Sequence, residues 1–150
     1  MIFINLVGNV VSMNRTMPGC TIIPVLAYEN VAKAIDWLCQ NFGFRERWRA
    51  GNHRAQLMYE DAAIVLSEIP ANNKHSSGAG PRHSIMVRVK DVNAHYDQAK
   101  RLNATIIQIP TDYPYGERQY TVIDIGGHIW TFSQSIADVA PEDWGGKSME

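Results

Sequence analysis

Cysteine is scarce in this chain: Cys20 and Cys39 are the only two among 150 residues. Two thiols cannot build a disulfide framework, so the expected setting is a reducing cytoplasm with both thiols free. Charge of one sign is not in excess either. Fourteen Lys and Arg stand against fifteen Asp and Glu, a formal net charge of -1. No local basic cluster supplies the field that nucleic acid requires. Long apolar runs are also missing. The opening stretch 1–13, MIFINLVGNVVSM, is interrupted by Asn5 and Asn9 and is too short to span a bilayer. It has no positively charged start and no A-x-A-like cleavage site, so it does not read as a signal peptide. Residues 1–20 are expected to lie outside the core as a disordered or swapped extension, with Met13 or Met17 as alternative starts.

The common catalytic fingerprints are absent too. There is no nucleophile elbow, Walker loop or dinucleotide-binding fingerprint, and Gly78-Ala79-Gly80 precedes no helix start. His53, His75 and His95 make no metal-ligand spacing with another His or Cys; His95 is expected on the polar side of a helix.

What the chain does contain is a repeat. With 45% hydrophobic and 19% charged residues it has the balance of an ordinary globular protein. Residues 22–31, IIPVLAYENV, alternate apolar positions and then reach Asn30; residues 83–92, HSIMVRVKDV, do the same and reach Asp91. Both are helix N-cap residues, because a short side-chain oxygen can accept from the first free backbone N–H groups. After Asn30, residues Val31, Ala34, Ile35, Leu38 and Phe42 fall on one helical face, and Gly43 stops the helix. After Asp91, Val92, Tyr96, Ala99 and Leu102 do likewise, with Asn103 as the stop. Each helix precedes three short strand-like runs: 44–49, 55–60 and 63–68 in the first copy, then 105–109, 118–124 and 128–133 in the second. The expected organisation is module one over 21–68, a linker over 69–82 rich in Gly, Pro, Ser and Asn, module two over 83–134, and a tail over 135–150.

The fold class expected is therefore α+β. Two tandem β-α-β-β-β modules would form a curved mixed sheet with a concave trough, helices outside, and such a trough suits a small molecule.

Two stretches carry a resemblance to a known family. IIPVLAYENVAKAIDWLCQNFGF resembles the opening of modules of the glyoxalase/bleomycin resistance protein/dioxygenase (vicinal oxygen chelate) superfamily, and PYGERQYTVIDIGGHIWTF resembles its closing signature. The tail DVAPEDWGG is similar to tails of a bacterial subgroup. The resemblance implies one divalent metal held by His, Gln and Glu side chains on the first and last strands of each module. The matching positions here are Ile23 and Pro24, Ser84 beside His83, Leu66 with Glu68 two residues on, and Thr131. No metal is expected from that set, and Glu68 and His83 are the residual catalytic candidates. The likeness is to bleomycin-resistance-like members poor in metal ligands, and it implies a homodimer. Such a protein would bind a small, partly aromatic or hydrophobic molecule through Trp48, Tyr59, Tyr115, Arg118 and Tyr120. The alternative is a metal-dependent lyase, isomerase or dioxygenase with unusual ligands. Each named residue also has a plainer reading: Trp48 as a surface residue at the sheet edge, Arg118 as one half of an ion pair, Glu68 as a solvated strand end, and His128 as part of a hairpin turn.

Overall fold

The computed structural model describes residues 18–69 and 83–149, together with the backbone of residues 2–4 and 10–12. Strands β1 (Ile2–Ile4) and β2 (Val10–Ser12) pair antiparallel in the N-terminal stretch. Most of the expected linker, residues 70–82 with His75, lies outside the described residues. The chain divides into two compact units, Met1–His75 and Ser76–Glu150.

The first unit runs β3 (Val25–Tyr28), α1 (Val31–Phe42), β4 (Arg45–Ala50), β5 (Arg54–Tyr59) and β6 (Ala62–Glu68). The second runs β7 (Ile85–Arg88), α2 (Val92–Arg101), β8 (Thr105–Tyr113), β9 (Glu117–Ile123) and β10 (Ile129–Ser135), and a 3₁₀ turn over Pro141–Trp144 follows. Their sheets have the same strand order, β3-β6-β5-β4 and β7-β10-β9-β8. In each, the first and last strands of the module pair in parallel and all other pairs are antiparallel. The repeat read from the two caps is thus a repeat of topology.

Local chemistry explains the helices. Asn30 Oδ1 accepts from Lys33 N–H and Asp91 Oδ1 from Ala94 N–H, both at 3.0 Å. Gly43 ends α1 with φ +77°, a conformation that glycine reaches without the usual Cβ penalty. Lys100 and Arg101 occupy the last turn of α2, where positive charge suits the helix dipole. Asn103, beyond the Leu102 cap, takes a left-handed φ of +61°.

The core of each unit lies between its helix and its sheet. Under α1, Val31, Ala34, Ile35, Leu38 and Phe42 bury against strands that contribute Leu26, Ala55, Leu57 and Leu66. Under α2 the filling is aromatic, with Tyr120, Trp130 and Phe132 all fully buried beside Val92, Ala99 and Val122. His95 belongs to this layer rather than to a polar face. Its ring lies 4.0 Å from the Phe132 ring, and its Nδ1 hydrogen-bonds the Tyr120 hydroxyl. At three residues past Val92 it shares the inward stripe of α2, and an aromatic ring with one polar partner is readily buried there.

Strand β8 also departs from expectation. The run predicted to end at 109 continues through Pro110 to Tyr113, with register shifts between Ile106 and Gln108 and between Gln108 and Thr111. An edge strand tolerates proline because its outward N–H groups have no ladder partner to lose. The β9–β10 turn is held by Asp124, which is 5% exposed. Its Oδ1 accepts from Gly126 and His128 N–H, and its Oδ2 from the Trp130 indole, all at 2.9 Å.

Asp124→Ala should leave three donors without their carboxylate. A loss of about 3 kcal/mol in urea unfolding is expected, since each unmet buried group costs on the order of 1–3 kcal/mol. A change under 1 kcal/mol would show that the turn is held elsewhere.

Candidate functional site

Strand alternation gives each sheet a helix side and an open side. In the second unit Tyr120, Val122, Trp130 and Phe132 occupy the helix side, so Glu117, Gln119, Thr121, Thr131, Ser133 and Ser135 occupy the open side. The parallel pairing of β7 with β10 adds Met86, beside Thr131, and Arg88, beside Ser133. In the first unit the corresponding pairing sets Val25 beside Val65 on the open side, while Leu26 and Leu66 pair and bury on the helix side.

One end of the second unit's open side forms a cleft of about 520 Å³ lined by Met86, Arg88, Tyr115, Glu117, Ser133 and Asp138, among others. The turn between β8 and β9 and the segment after β10 make two of its walls. They are joined through Gly116, whose carbonyl accepts from Ile136 N–H at 2.8 Å and from Ala137 N–H at 3.2 Å. Gly116 has φ +87°, and a Cβ there would stand 2.1 Å from the Ala137 carbonyl oxygen. The tail then returns aromatic surface to the turn. Tyr115 stacks on Tyr113 at 5.3 Å and meets Trp144 edge-on at 5.5 Å.

Three polar side chains at the cleft, Glu117, Ser133 and Gln119, form one network. Glu117 Oε1 accepts from the Ser133 hydroxyl at 2.5 Å and from Gln119 Nε2 at 3.2 Å. Ser133 and Gln119 are themselves buried, at 4% and 8% exposure. Partial burial, then the Glu117 charge and Tyr113, push the Tyr115 hydroxyl above its ordinary value, and a hydrogen bond with Gln119 pulls it back in part.

The residues expected from the sequence scatter over several environments. Tyr115 lines the cleft. Trp48 lies on the open side of the first sheet beside Gln56, half-buried, and its buried indole N–H has no hydrogen-bond partner among the described residues. Tyr59 falls on the helix side near the end of α1 and packs on Phe44 at 5.6 Å. Tyr120, expected to touch a ligand, is instead wholly enclosed beneath α2. Arg118 falls on the helix-side alternation and makes a two-point ion pair with Asp112, at 2.6 and 3.1 Å. That guanidinium holds the Asp112 carboxyl below its usual range. Glu68 ends β6 exposed, on the alternation of Leu66 and hence the α1 side, and His83 is exposed ahead of β7. The counterpart of Thr131 is Val65 rather than Leu66, because each pairs in parallel with the residue five before its cap.

This donor set does not fit a divalent metal of the kind the family resemblance implies. The open-side pairs Val25 with Val65 and Met86 with Thr131 offer one hydroxyl, one thioether and no carboxylate or imidazole. Among the described residues no three His, Cys, Asp or Glu side chains converge to hold an ion. The sequence reading missed Arg88, Glu117, Ser133 and Asp138. Ser133 was within reach, since it lies two residues past Thr131 on one strand face. The approach of Glu117 comes from the β9–β10 register, for which the sequence carries no local signal.

Residues 18–132 match the profile of the Glyoxalase/Bleomycin resistance protein/Dioxygenase superfamily. TioX from Micromonospora sp. ML1 is 32% identical, with a TM-score of 0.65 over 78% of this chain and 99% of that one. A glyoxalase/bleomycin resistance protein/dioxygenase family enzyme from Burkholderia phytofirmans PsJN shares the fold, with TM-score 0.66, 17% identity and coverage of 75% and 96%. An uncharacterised protein of Mycobacterium bovis is 25% identical over 127 residues, 77% of this chain and 84% of its own length.

Gly116→Ala should open the cleft. The left-handed φ alone costs roughly 1–2 kcal/mol, and the clash with Ala137 must also be relieved. Limited proteolysis should then cut within 136–146 faster than in the parent protein. Unchanged cleavage would mean that the tail is not seated through Gly116.

Proposed function

The chain belongs to the Glyoxalase/Bleomycin resistance protein/Dioxygenase superfamily, and from that premise we propose that it is a small-molecule binding protein working without a conventional catalytic metal. The observation that carries this reading is the cleft in the second unit: a preorganised polar network beside the stacked rings of Tyr113 and Tyr115 and the edge of Trp144. The lining is mixed: Met86, Tyr115 and Val139 offer apolar surface to a ligand, and Glu117, Ser133 and Asp138 offer polar groups to orient it. The Trp48 indole on the first unit's open side, without a hydrogen-bond partner among the described residues, supports a second contact region. The reading takes the protein as a homodimer in a reducing cytoplasm, the latter in keeping with two free thiols.

A planar aromatic probe that binds only the native state raises stability by mass action. At a hundredfold excess over Kd this amounts to roughly 2.7 kcal/mol, a Tm increase on the order of 5 °C for a chain of this size. Members of an aromatic panel should produce such shifts, and Tyr115→Ala should abolish them. A panel with no hits would overturn the binding reading. Elemental analysis of protein prepared without chelator should find no stoichiometric Zn, Ni, Mn or Fe. A metal that is present and is lost on Glu68→Gln would establish the metal-dependent enzyme instead.

A further inference from the structure

We infer that the cleft selects ligands carrying a protonated amine, with Glu117 as the anchor for the cationic nitrogen. The inference rests on the binding reading above and adds the charge class of the ligand. Its basis is the way Glu117 is held. Two buried neutral donors, the Ser133 hydroxyl and the Gln119 amide, both converge on Oε1. They fix the carboxylate without cancelling its charge, and Oε2 accepts neither bond. A half-buried carboxylate oriented in this way is favoured by a cation that restores the solvation lost to the protein.

The rest of the lining agrees in sign. The cleft holds two carboxylates, Glu117 and Asp138, against a single guanidinium, Arg88. Among the described residues no ion pair joins Arg88 to either carboxylate, and Arg88 is exposed at the rim. The excess charge of the cleft is therefore negative. Tyr115 stands two residues before Glu117 and lines the same cleft. Its ring, stacked on Tyr113 and met edge-on by Trp144, contributes aromatic surface to the lining, and aromatic rings attract cations. An alkylamine carrying an aromatic ring satisfies both features, whereas an aromatic carboxylate would meet Glu117 and Asp138 with like charge.

Three probes with one ring system separate the possibilities: naphthylmethylamine, naphthylmethanol and naphthoic acid, titrated calorimetrically into the full chain at neutral pH. The amine should bind roughly tenfold or more tightly than the neutral alcohol, the difference typical of one charge-assisted hydrogen bond, and the acid should bind most weakly. Glu117→Gln should remove most of the amine's preference over the alcohol, the amine losing more affinity than the alcohol. Ser133→Ala should give a smaller loss for the amine alone. Equal binding of amine and alcohol by the unaltered protein would overturn the inference and leave the binding reading standing, and this comparison does not depend on any variant folding. Failure of all three probes, together with an empty aromatic panel, would remove both.

Discussion

In each module the first strand returns beside the last one and runs parallel to it. This pairing fixes which side chains meet which. A sheet has a period of two, so sliding β7 against β10 by one residue would exchange Met86 and Arg88 for Ile85 and Val87 on the open side. The aromatic layer beneath α2 opposes that slip. Trp130 and Phe132 are fully buried, and burying one such ring contributes roughly 4–6 kcal/mol of gross hydrophobic stabilisation. The open side thus receives its polar set because the other side cannot surrender its rings.

The same constraint accounts for the difference between the two units. At equivalent register positions the first unit carries Val25, Val65, Gln56 and Trp48, and the second carries Met86, Thr131, Thr121 and Gln108. Duplication preserved the backbone and the helix caps while the open-side residues diverged. The chemistry of this family is written on those alternate positions, so a shared fold leaves the activity undetermined.

Much of the fold was legible because its signals are local. Asn30 and Asp91 announce their helices within one turn. Pro110 misled by acting as a stop in a strand that edge geometry allows to continue. The candidate site was harder to read, since its parts depend on pairing across distance. Tyr120 and Tyr115 look alike in the sequence, yet one lies beneath a helix and the other in a cleft. Arg118 could be read as a ligand contact or as one half of an ion pair, and Asp112, opposite it across the β8–β9 ladder, makes it the latter. Glu117 carried no signal of its own beyond the turn that precedes it.

One wall of the cleft is neither strand nor helix. The segment after β10 is seated by two hydrogen bonds to the Gly116 carbonyl and by the ring of Trp144 against Tyr115. Residues 137–139 can therefore vary in size and charge without disturbing the buried layer beneath α2. Related chains that keep the Gly116 seat but differ in this short stretch would inherit the same scaffold with a different ligand range. In such a lineage specificity evolves at the margin of the domain, where a substitution carries little folding penalty.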